Sequence, residues 1–101
     1  MSTYTRLMVV QASDSEAAQQ IQRDFRQTAR HLHEEPGYQH SEVLAEDGAW
    51  LVILLTLWNG QEQAALFSSS NIYRLLLAAI ETRIVGSPVV RIFKRCTGGT
   101  E

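Results

Sequence analysis

The chain has 101 residues, 45% hydrophobic and 20% charged, with nine Lys and Arg against eleven Asp and Glu and a formal charge of −2. This suits one domain with a modest core, and the scattered basic residues form no stripe that would follow a phosphate backbone, so nucleic acid is not expected as a partner. No apolar run is long enough to cross a bilayer and Leu7–Val10 is too short for a signal segment, so a cytoplasmic protein without a membrane partner is expected.

Tyr4 to Gln11 is rich in β-formers and reads as a first strand. Ser13-Asp14-Ser15-Glu16 fits a capping box with Ser13 as the cap. Beyond it Ala18, Ile21, Phe25, Ala29 and Leu32 recur at helical spacing, until Pro36-Gly37 stops the helix. Tyr38–Glu46 and Ala49–Trp58 read as antiparallel strands around a tight Asp47-Gly48 turn. Asn59 is expected to cap a short helix over Gly60–Phe67. Ser68–Ser70 then interrupt it and cap a longer helix from Asn71 to about Arg83, in which Ile72, Leu75, Leu76, Ala79 and Ile80 share a stripe. Gly86-Ser87-Pro88 is expected to separate this helix from a last strand, Val89–Arg95.

The order is β-α-β-β-α-β, an α+β ferredoxin-like sandwich with a four-stranded antiparallel sheet and helices on one face. One domain over residues 1–96 is expected, with residues 97–101 as a flexible tail. The stretch WLVILLTLW, Trp50 to Trp58, has one polar side chain, Thr56, and lacks the alternation of a strand with one wet face. One side of it faces the helices. The other most simply meets the same sheet of a second copy, because a domain this small buries only about 60 to 68% of its unfolded surface.

Pro36-Gly37 closing a helix, a hairpin of about twenty residues ending in Trp58, a short broken helix and a C-terminal strand together resemble the antibiotic biosynthesis monooxygenase domain of the dimeric α+β barrel superfamily. The resemblance spans about Tyr4 to Arg95. It implies a homodimer through sheet faces, and a pocket between each subunit's own sheet and helices for a small apolar or aromatic ligand. It also implies an oxidation that needs no cofactor, neither metal nor flavin. In the quinone-forming members an asparagine four residues before the tryptophan and a tyrosine six residues after it help hold the substrate. Leu54 and Ala64 stand there, so Trp58 alone of that set is kept. In the heme-degrading members an asparagine, a tryptophan and a histidine surround the heme, where this chain has Leu7, Phe67 and Leu77.

On this reading Trp58 is an aromatic wall of the pocket or a packing residue, and Leu54 and Phe67 line the same space. Trp50, about 26 Å away along the strand, is assigned to packing. By the two-residue period Tyr38, His40 and Glu42 share one face of their strand and Gln39, Ser41 and Val43 the other. If the first set faces the helices, His40 is the candidate base and Tyr38 a phenolic donor; otherwise His40 is a surface histidine. Arg74 is either an anchor for an anionic group or a solvated arginine. His31 and His33 point about 200° apart on a helix, so no shared metal is expected with Glu34 and Glu35. Cys96 reads as an idle thiol. The leading expectation is a cofactor-independent monooxygenase acting on a small aromatic or polycyclic molecule. The alternatives are a non-catalytic ligand-binding or structural module on the same scaffold, and a heme binder using His40 or Tyr38.

Overall fold

A computed structural model of the chain describes residues 3–48 and 50–96. Strand β1 (Tyr4–Ala12) leads into helix α1 (Ser15–Arg30), followed by a single 3-10 turn over Leu32–Glu34 and the hairpin β2 (Tyr38–Ala45) and β3 (Leu51–Trp58). A short helix α2 (Gln61–Leu66), a 3-10 turn at Phe67–Ser69, helix α3 (Asn71–Ile80) and strand β4 (Ile84–Lys94) complete it. The sheet order is β2-β3-β1-β4, all neighbours antiparallel, which is the expected ferredoxin-like arrangement. The expected tail at 97–101 lies outside the described residues.

The core forms where the inward residues of β1 and β3 meet the helical stripe. Met8, Val10 and Ala12 alternate with half-buried neighbours, as do Val52 and Leu54, and they pack against Ile21 and Phe25 of α1 and Leu76 and Ile80 of α3. The helices are fixed by their caps. The first cap is Asp14, whose carboxylate accepts from the Ala17 amide at 2.7 Å, one residue later than the Ser13 box predicted. Ser70 caps α3 as expected, accepting from the Tyr73 amide at 3.1 Å. Asn59 does not cap α2. Gly60 occupies the N-cap without a side-chain bond, and the Asn59 amide oxygen accepts from Gln39 instead.

The last strand begins five residues earlier than predicted, and Gly86-Ser87-Pro88 lies inside it. β4 is an edge strand, so Pro88 need not donate to the sheet, and the β1–β4 register shifts beside these residues, between Val9 and Gln11. Gly86 takes φ +73° in that bulge.

Gly37 shows why a Pro-Gly pair ends the first helical segment. Its φ is +80°, and a Cβ there would stand 2.6 Å from Gln63 Cγ and 2.8 Å from Gln63 Cβ. The bare backbone lets α2 close over the start of the hairpin, where the Gly37 carbonyl accepts from the Asn59 amide at 2.8 Å. Gly37→Ala meets both backbone strain and a steric clash, and chemical denaturation is expected to show a loss of about 1–3 kcal/mol.

Candidate functional site

Beneath α2, four aromatic rings form one continuous row. Tyr38 meets Trp58 edge-on at a centroid distance of 5.7 Å, Trp58 meets Phe67 at 5.3 Å, and Phe67 meets Tyr73 at 5.4 Å. Each ring comes from a different element: β2, β3, the 3-10 turn and α3. Trp58 is 1% exposed, and its indole nitrogen donates to Thr56 Oγ1 at 2.8 Å. Residues 56 and 58 share a face of β3, so the strand itself supplies the acceptor. The Thr56 hydroxyl can in turn donate to the Arg6 carbonyl at 3.4 Å.

At the far end of the row lies Arg6, an inward residue of β1 that is 0% exposed. Its guanidinium carbon sits 4.9 Å from the Phe67 ring centre and 4.6 Å from that of Tyr73. Nη2 donates to Ser68 Oγ at 2.8 Å, while Nε and Nη1, both buried, have no partner within hydrogen-bond distance among the described residues. Among the described residues no carboxylate pairs with it, the one ion pair being His40–Glu42. Burial pushes the Arg6 pKa below that of a free guanidinium, and the neighbouring Tyr73 acts in the opposite sense. Arginine nonetheless stays protonated, so the site holds a buried positive charge.

A cleft of about 70 Å³ reaches this row from outside, lined by Glu35, Pro36, Trp58, Gln63, Leu66 and Phe67. That volume holds about two waters and falls well short of the ~300 Å³ typical of a ligand pocket. Leu54 and Phe67 occupy the space behind it as fully buried core residues, with Leu77 packed at the margin. Leu54, expected to line a pocket, is core in this structure, whereas Phe67 belongs to both the core and the cleft wall. A larger open groove of about 570 Å³ runs between α1 and α3, past His31, His33, Ile72, Leu75 and Ala79. It touches none of the four rings.

The structure separates two residues that the sequence grouped. The β2–β3 register shifts between Tyr38 and His40, so Tyr38 pairs with Trp58 while His40 pairs with Leu57. A bulge at Gln39 thus reverses the alternation. Tyr38 points inward with Ser41 and Val43, and its hydroxyl donates to Ser41 Oγ at 2.8 Å. His40 stands on the opposite face with Glu42, 3.4 Å from its carboxylate, and its side chain is 56% exposed. The expectation that Tyr38 and His40 face one pocket is therefore corrected. His40 is not within reach of Trp58. Arg74 follows Tyr73 in sequence but is exposed on α3, with its guanidinium donating to Asn71 of the preceding turn. Trp50, assigned to packing, is partly exposed at the hairpin turn with φ +56°.

Arg6 was missed because β1 is apolar on both faces, which leaves the inward phase open. Its signal was an arginine in register with Met8 and Val10 at a two-residue period.

No protein-family model matches this sequence, and no curated protein matches it either. Solved structures do. SnoaB from Streptomyces nogalater, a cofactor-independent oxygenase, superimposes with a TM-score of 0.78 at 14% identity over 100% of both chains. Rv0793 from Mycobacterium tuberculosis gives 0.79 at 9% identity, covering 98% of this chain and 100% of that one. A candidate antibiotic biosynthesis monooxygenase from Nitrosomonas europaea gives 0.77 at 14%, covering 97% and 90%. Identities this low speak for the architecture and not for shared chemistry. The chain thus has the fold of the antibiotic biosynthesis monooxygenase domain, from the first strand to the last.

Proposed function

We propose that this protein binds a small aromatic or polycyclic molecule between its sheet and helices, against Trp58, and oxidises it with dioxygen without a cofactor. The observation that carries the reading is the unbroken row Tyr38–Trp58–Phe67–Tyr73 with a cleft opening onto it. Rings meeting edge-on and tilted offer apolar contact to a flat ligand, and α2 over the site limits the water that would quench a reactive carbanion. The likeness in fold to SnoaB, a cofactor-independent oxygenase, supports the reaction class.

In such a reaction the methylene of a hydroxylated anthrone becomes a carbonyl. One oxygen atom of O₂ is retained and the other leaves as water. Tyr38 and Phe67 act here as substrate contacts beside Trp58. His40 and Arg74 have no part in this pocket, because one lies on the opposite sheet face and the other on the outside of α3.

A second reading, a ligand-binding module without turnover, is favoured by one specific observation: the interior behind Trp58 is filled by Leu54 and Phe67. Oxygen uptake with a hydroxylated anthrone separates the two. Quinone formation matched to oxygen consumed, without added metal or flavin and weakened by Trp58→Phe, is the expected result. Binding without uptake selects the non-catalytic module.

The second half of the proposal is a homodimer through the bare sheet face. That face presents three cross-sheet rows: His40–Leu57–Thr5–Phe93, Glu42–Leu55–Leu7–Arg91 and Leu44–Ile53–Val9–Val89. Its centre is apolar apart from Thr5 at one end and Gln11, which lies between Leu51 and Val85, at the other, and an acid and an arginine stand at opposite ends of the middle of the three rows. A copy turned about an axis along the strands sets each Glu42 against the other's Arg91. Continuous apolar surface of this kind is the signature of an interface.

A further inference from the structure

We infer that Arg6 is the anion-recognition residue of this site, and that the aromatic ligand it takes carries a carboxylate. The inference rests on the aromatic-pocket reading above and adds the charge of the ligand to it.

A guanidinium withdrawn from water loses much of its hydration free energy, even after relaxation. Cation–π contacts with the faces of Phe67 and Tyr73, the polar interaction with the Tyr73 hydroxyl and one hydrogen bond to Ser68 Oγ return only part of it. Among the described residues no carboxylate pairs with the guanidinium. Among the described residues, three N–H donors, one on Nε and two on Nη1, lie buried without an acceptor within hydrogen-bond distance. A methionine or leucine would fill the same place between Met8 and the rings at no such cost, so the fold alone gives no reason for a cation here. A ligand carboxylate does: it would be the missing acceptor and the missing charge, in surroundings dry enough to make the pairing strong.

The path to Arg6 runs through Phe67. Its ring forms the inner wall of the Trp58 cleft and also covers the guanidinium. Phe67 sits on a three-residue 3-10 turn between two short helices, held by the Ser70 hydroxyl and amide donating to its carbonyl at 2.7 and 3.0 Å. Displacing this one ring joins the cleft to the arginine, and the ligand's own ring can take the vacated place beside Trp58 and Tyr73. Glu35 on the cleft rim opposes an anion, but only through a repulsion that solvent screens.

The test uses 2-naphthoate and 2-naphthamide, which share a ring system and differ in charge. Binding is read from Trp58 fluorescence in a Trp50→Phe background. The expected result is that the carboxylate binds at least ~10-fold tighter than the amide. Arg6→Met is expected to abolish that preference while leaving the melting temperature unchanged or raised, as when a buried charge gives way to an apolar residue of similar length. Arg6→Lys keeps part of the preference. Equal affinity for acid and amide overturns the role of Arg6 while leaving the aromatic pocket standing. Binding of neither overturns the pocket reading and this inference together. A large fall in melting temperature for Arg6→Met, with the preference intact, shows an arginine that serves the fold and also overturns it.

Discussion

Trp58→Ala lowers the unfolding free energy by about 3–5 kcal/mol, the cost of deleting a large aromatic from a packed core and leaving a cavity. For a domain of this size that corresponds to a fall in melting temperature of at least ~12 °C. The loss is large because Trp58 is engaged on three sides: Tyr38 at its edge, Phe67 against its ring, and Thr56 on its indole nitrogen. The hydrogen bond can be isolated from the packing. Thr56→Val leaves the buried indole N–H without an acceptor, at about 1–3 kcal/mol, while keeping the side-chain shape. Trp58→Phe removes the donor itself. Combined, the two substitutions are expected to cost about 1 kcal/mol less than the sum of the single losses, as read by denaturant titration. Strict additivity would show that the threonine hydroxyl contributes nothing to holding the indole in place.

The same residues show what the sequence made legible. The order of elements followed from local signals: helical spacing in α1 and α3, the Asp47-Gly48 turn, and the serine cap at Ser70. Trp58 stood out as an aromatic at a strand end. The departures arose where a tertiary contact overrode a local pattern. Gly86-Ser87-Pro88 reads as a chain break, yet on an edge strand a proline and a glycine bulge are tolerated because no neighbour needs their amides. The bulge at Gln39 leaves no mark in its residue types, and one inserted position was enough to carry His40 from the helix side to the bare face. Arg6 stayed hidden for a different reason. Periodicity identifies an inward face only when the two faces differ, and in Arg6-Leu7-Met8-Val9-Val10 the outward positions are as apolar as the inward ones. The ambiguity that concealed the arginine is also the property on which the proposed sheet-face dimer rests.

Val9→Lys on that outer face tests the interface directly. Val9 lies on central strand β1, between Ile53 and Val89, in a row without an acidic side chain to neutralise a new charge. In an isolated subunit the lysine reaches water, and the core on the other side of the sheet, Met8 and Val10, is untouched. In a face-to-face dimer two lysines would be trapped near the two-fold axis, each losing several kcal/mol of hydration and repelling the other. Dissociation is therefore expected to strengthen by more than ~1,000-fold, so that sedimentation at micromolar concentration gives a folded single subunit for the variant and a dimer for the unmodified chain. Arg91→Glu is a milder probe: it sets acid against acid at the ends of the middle row, and Glu42→Arg in the same chain restores the pairing if the axis runs along the strands. A dimer that survives Val9→Lys unchanged would place the contact elsewhere on the molecule, and an unmodified chain that sediments as one subunit would leave the apolar rows of this sheet without an occupant.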